Sequence, residues 1–156
     1  MITAERLFEV PDHQLKNYPN STMFVTKTAG IWVPIATSDF IDRTMTVARG
    51  LISMGVQAGD RVAVASSNRL EWNIFDIAVQ KVGAILVPLY PTISESDYRY
   101  ILNDAAAKIC IVSNQELADK ISNIRADVST LEHLFSFDKL DSVPHWSYIE
   151  DQKTHT

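Results

Sequence analysis

GDRVAVASSNRLEWNIFDIAVQKVGAILVPL, residues 59–89, changes its hydrophobic period twice. After the Gly59-Asp60 turn, Arg61 to Ser66 is short, β-branched and apolar without polar alternation, the pattern of a strand buried on both faces. From Asn68 the period becomes helical: Trp72, Phe75, Val79 and Val82 share one face, and Gly83 supplies a stop. Asn68 with Glu71 three positions later has the spacing of a capping box. Residues 84–89 return to a short apolar run. A strand, a helix and a strand in this order predict parallel pairing across a helical crossover.

The same alternation extends outward. Upstream, Phe40, Ile41, Thr44, Val47, Ala48, Leu51 and Ile52 recur at helical spacing, with Thr37 or Ser38 as cap and Gly55 as terminator. Before that, residues 22–28 and 31–36 are rich in Val, Ile, Thr, Phe and Trp around Ala29-Gly30 and read as a β-hairpin, with Pro34 favouring an edge strand. The opening, Thr3 to Val10, reads as a short helix capped by Thr3 and stopped by Pro11. Downstream follow a helix from Glu95 to Asp104, a strand at 108–113, a helix from Gln115 to Arg125 and a strand at 133–137. Beyond Asp138 the pattern lapses, and an irregular end is expected. The fold class is α/β, a mainly parallel sheet with flanking helices preceded by a β-hairpin. No repeat, low-complexity tract or Gly/Ser linker divides residues 1–156, which read as one unit.

Composition narrows the function classes. Apolar residues make up 46% of the 156 positions, enough to bury a core. A formal net charge of −5 opposes a surface that neutralises polynucleotide phosphates, so no nucleic-acid partner is expected. No apolar run approaches the ~20 residues of a membrane span, and Glu5, Arg6 and Glu9 stand where a secretory leader is apolar. A cytoplasmic location is expected. The single cysteine, Cys110, sits in an apolar run and reads as core.

A search for chemistry returns little. The five glycines, Gly30, Gly50, Gly55, Gly59 and Gly83, form neither a dinucleotide fingerprint nor a phosphate loop ending in Lys-Ser/Thr. Ser66-Ser67-Asn68 joins a strand to a helix and reads as a plain cap, with an anion held by free helix N–H groups as the alternative. His13, His133, His145 and His155 are scattered without a second ligand at helical spacing, and no metal residue is assigned. Asp39 with Asp42, Asp138 with Asp141, Ser94 with Asp97, and Ser113 or Asn114 with Glu116 read as helix starts and turns rather than acid/base pairs. Trp32, Trp72 and Tyr90 are expected in the core or at its rim. No catalytic or cofactor-binding residue is assigned.

The segment ARGLISMGVQAGDRVAVASSNRLEWNIFDIAVQKVGAILVPLYP resembles the N-terminal region of AMP-forming acyl-CoA synthetases. The phrases that carry the resemblance are Leu51 to Val56, Gly59 to Val62, Asn68 to Trp72, Gly83-Ala84, Val87-Pro88-Leu89 and Pro91-Thr92, continued by YRYILNDAAAKICIV. It runs from about Thr3 to about Glu150, and LEHLFSFDKLDSVPHWSYIED resembles the bacterial long-chain branch.

The resemblance implies the N-terminal part of a large AMP-binding domain, ending before the phosphate-binding loop. The parent would be an ATP-dependent long-chain fatty-acid-CoA ligase, forming an acyl adenylate with release of pyrophosphate and passing the acyl group to coenzyme A. ATP, magnesium, coenzyme A and a fatty acid would serve that parent. The family's Ser/Thr/Gly-rich loop, Tyr-Gly-x-Thr-Glu phrase, ribose-binding Asp and C-terminal catalytic Lys have no counterpart in these residues. This chain alone is therefore expected to be inactive and to hold none of those ligands. The alternative is a stand-alone α/β binding or interaction module on the same scaffold. A receiver-type signalling domain fits less well, because Asp60 precedes its strand instead of ending it. Apolar surface and strand edges left uncovered would make the chain a homo-oligomer.

Overall fold

The computed structural model describes residues 4–152. In chain order the elements are α1 (Val10–Asn17), β1 (Phe24–Thr28), β2 (Ile31–Ile35), α2 (Thr37–Ser53), β3 (Arg61–Ala65), α3 (Leu70–Val82), β4 (Ile85–Leu89), α4 (Glu95–Asp104), β5 (Ile109–Val112), α5 (Gln115–Ile124), β6 (His133–Ser136) and α6 (Ser147–Asp151). Strands β1 and β2 form an antiparallel hairpin, turned by Ala29 and Gly30 at positive φ. Strands β3 to β6 form a parallel sheet in the order β4-β3-β5-β6.

Side chains alternate between two cores, as period-2 strands require. Val62, Val64, Ile109, Ile111 and Phe135 point to the face covered by α2, α3 and α6. Ala63, Ala65, Cys110, Val112 and Leu134 point to the face covered by α4 and α5. A sheet covered on both sides explains why residues 61–65 lack polar alternation. Gly83, at φ 79°, is the C-cap of α3, a conformation that costs a side-chain-bearing residue more.

Several local expectations need correction. Thr3 lies outside the described residues, and Pro11 begins a helix instead of ending one: it sits in the first turn of α1, where its missing N–H has no intrahelical partner to lose. Ala36, not Thr37 or Ser38, is the N-cap of α2, and the Thr37 hydroxyl donates to the Asn20 carbonyl at 3.2 Å. Asn68 does not cap α3; Arg69 holds that position, and Glu71 turns to its guanidinium at 2.9 Å. Pro88 lies within β4, inside the run 84–89 that reads as its strand. Trp32 and Tyr90 are 66% and 79% exposed, and only Trp72 sits at the rim of the core.

The end is ordered as far as it is described. Residues 144–146 run beside β6, with Ser136 N–H donating to the Pro144 carbonyl at 3.0 Å and Trp146 N–H to the Ser136 carbonyl at 2.9 Å. Trp146 and Ile149 then enter the α2–α3 core. Two buried apolar residues three apart make one helical turn, too short for a periodicity reading.

Candidate functional site

Parallel sheets of this kind offer ligands the carboxyl ends of their strands, above all where successive connections leave in opposite directions. Here β3 leads to α3 on one face and β5 to α5 on the other, so the switch lies between their carboxyl ends. The chain's own charges cross that region. Arg69, in the loop after β3, donates to Glu71 at 2.9 and 3.2 Å and to Asp138, in the loop after β6, at 2.9 Å. Its guanidinium also lies 5.2 Å over the Phe137 ring.

Burial pushes the Glu71 carboxyl up, but the bond from Arg69 and one from its own backbone N–H outweigh it and leave the group below the usual carboxylate range. Burial likewise works against the Arg69 charge, and the two carboxylates outweigh it. A carboxylate thus already occupies the first turn of α3, where an incoming anion would have needed free N–H groups.

The open space lies one strand over, between the ends of β3 and β4. A cleft of about 520 Å3 is lined by Ser66, Ser67 and Asn68 on one side, Tyr90 and Pro91 on the other, with Trp72, Pro88 and Leu89 between. Ser66 spends its hydroxyl on the Ser67 carbonyl at 2.7 Å. The Tyr90 side chain projects outward from a fixed backbone, because the buried Tyr98 donates its hydroxyl to the Tyr90 carbonyl at 2.7 Å. Among the described residues no charged side chain lines the cleft, and those that line it offer hydroxyls, an amide and apolar contact.

A second, polar groove of about 780 Å3 runs between the hairpin and the start of α3. Its cations are engaged: Arg43 with Glu150 at 3.3 Å and over the Trp146 ring, Arg69 as above, and Lys27 over the Trp32 ring.

The other residues weighed from sequence fall apart in space. Ser94 and Asp97 form a capping box on α4, Asn114 caps α5 by accepting from Leu117 N–H at 3.0 Å, and Glu116 pairs with Lys120. Asp39 lies in the first turn of α2, and Asp138 is bound to Arg69. His13 is on α1, His133 stacks on Phe135, and His145 contacts Ser147 and the Phe137 carbonyl; His155 lies outside the described residues. Among the described residues no group of three or more His, Cys, Asp or Glu side chains is placed to hold a metal ion. Sequence reasoning missed the union of Ser66–Asn68 with Tyr90-Pro91 and the Arg69–Asp138 bridge. Parallel pairing of β3 with β4 signalled the first; nothing local signalled a bond spanning 69 positions.

Comparison with known proteins gives this scaffold its place. Over 116 residues, 74% of this chain, it is 33% identical to the long-chain-fatty-acid–CoA ligase FadD15 of Mycobacterium bovis, covering 19% of that protein. An uncharacterized protein of Mycobacterium tuberculosis is 30% identical over 100 residues, which are 64% of this chain and 55% of that protein. The solved structure of the anthranilate CoA ligase AuaEII in complex with anthranoyl-AMP superposes with a TM-score of 0.80 at 22% identity, covering 100% of this chain and 29% of that one. The chain thus spans about a fifth of the ligase FadD15. The AMP-binding enzyme family matches residues 11–155, nearly the whole length, and the chain belongs to that family.

Proposed function

We propose that residues 1–156 form the first part of the AMP-binding region of a cytoplasmic ligase that activates a long-chain fatty acid with ATP and magnesium and transfers it to coenzyme A. In that role the chain supplies scaffold, and the reacting groups are supplied by other parts of the enzyme. The observation that carries this reading is the family match over residues 11–155 in a chain 33% identical to a long-chain-fatty-acid–CoA ligase but covering only 19% of it. The chemistry of the present residues supports it: the glycines are dispersed, and Glu71 occupies the first turn of α3.

A stand-alone module is the second reading, favoured by the Mycobacterium tuberculosis relative, of which the matched 100 residues already make up 55%.

Two measurements separate these readings. The scaffold reading expects no pyrophosphate exchange and no saturable thermal shift when the chain is titrated with ATP-magnesium; a ligand at 100 times its Kd would add roughly 2.7 kcal/mol. Such a shift would favour the module. Replacing the matching segment of a long-chain fatty-acid–CoA ligase by residues 11–155 should then retain acyl-CoA formation, and a folded but inactive chimera would count against the ligase role.

A further inference from the structure

Strand β4 is an outer strand of the parallel sheet, and its residue Ile85 is 53% exposed. An apolar parallel edge of this kind is a template for another strand. Ile85 N–H donates inward to the Asp60 carbonyl at 2.8 Å. Backbone groups alternate sides along a strand, so Ile85, Val87 and Leu89 bond toward β3, while Leu86 and Pro88 face outward. Proline has no N–H, and the outward edge therefore keeps a donor at Leu86 alone. The opposite outer strand, β6, is covered at its carboxyl end by residues 144–146.

We propose that Pro88 closes the β4 edge against strand addition by a second copy of this chain. The position of the proline in the register decides this. At Val87 it would break the bond to β3, and at Pro88 it removes only a donor that nothing in the sheet uses. The homo-oligomer expected from free strand edges thus loses the β4 edge as its route.

The test compares Pro88→Val with the unmodified chain by light scattering over a range of concentrations, alongside circular dichroism and thermal melting. The valine restores an N–H and favours an extended strand. Pro88→Val should at least double the apparent mass as concentration rises, with intermolecular β-sheet in the infrared spectrum and an unchanged helical signal. Adding Ile85→Lys, a charge on the exposed edge, should return the mass to that of the unmodified chain. A folded Pro88→Val protein with the same mass as the unmodified chain at every concentration overturns the proposal. So does association of Pro88→Val that Ile85→Lys fails to reverse, because aggregation from misfolding ignores a charge at the edge.

Discussion

Gly50, in the last turn of α2, lies against the backbone of Ile149 so closely that a β-carbon at position 50 would overlap the Ile149 carbonyl oxygen. A helical glycine costs backbone entropy relative to alanine, so its presence here answers to contact rather than propensity. Ile149 is fully buried, and its neighbour Glu150 reaches Arg43 on the same helix. The close approach lets α6 seal one end of the α2–α3 core.

Gly50→Ala should therefore destabilise the fold despite the better helix propensity of alanine. Overpacking of this kind costs about 1–3 kcal/mol. Urea unfolding followed by tryptophan fluorescence measures it, since Trp146 is buried beside the contact. A Gly50→Ala protein as stable as the original would show that α6 does not bear on α2 in solution.

The asparagines at two helix starts separate pattern from contact. Asn68 has capping-box spacing, yet Arg69 is the N-cap of α3 and no side chain caps it; Asn114 accepts the Leu117 N–H at 3.0 Å. Asn114→Ala should cost about 1 kcal/mol, the usual worth of such a cap, and Asn68→Ala less than about 0.5 kcal/mol. Equal losses in chemical denaturation would contradict the assignment.

That contrast shows what could be read in advance. The β3-α3-β4 unit was legible because doubly buried strands and a one-sided helix leave different periods over adjacent residues. The α2–α6 contact was not, because a glycine selected for closeness looks like any glycine until its partner 99 positions later is in place. The cap at Asn68 failed for a tertiary reason. Glu71, which the box would direct to the backbone, gains more from the Arg69 guanidinium, itself bound to Asp138. The cleft needed the register of β3 on β4, which aligns Ala65 with Leu89 and so brings Ser66 and Tyr90 to one rim.

The same carboxylate makes stability depend on pH. Glu71 is held below its ordinary value of 4.5 in the folded chain, so the unfolded chain takes up its proton first as pH falls. Its contribution is complete above 4.5 and is lost as pH falls through the folded value; Asp60, also lowered, acts in the same direction. Glu71→Gln should flatten the acid limb of a plot of unfolding free energy against pH, and an unchanged slope would remove Glu71 from the account.

Tyr98, whose hydroxyl donates to the Tyr90 carbonyl and fixes the rim of the cleft, contributes to the alkaline limb. Burial, reinforced by Cys110 and Glu116, pushes its phenol up to about 12, against an ordinary value of 10. The sign is opposite to that of Glu71. The unfolded chain loses the Tyr98 proton first, so its contribution is complete below pH 10 and is lost as pH rises from there through about 12. Cys110, fully buried and pushed up by burial to about 12 from an ordinary value of 9, adds a loss of the same sign that begins near pH 9. Tyr98→Phe keeps the ring in the α4–α5 core and deletes the hydroxyl, leaving the Tyr90 carbonyl unpaired. It should cost about 1 kcal/mol at neutral pH and lessen the loss of stability above pH 10. Amide exchange should also quicken at Tyr90 and its neighbours, because the rim loses its anchor. A Tyr98→Phe protein with unchanged exchange there and the original alkaline limb would mean that the Tyr98 hydroxyl neither holds the rim of the cleft nor resists ionisation.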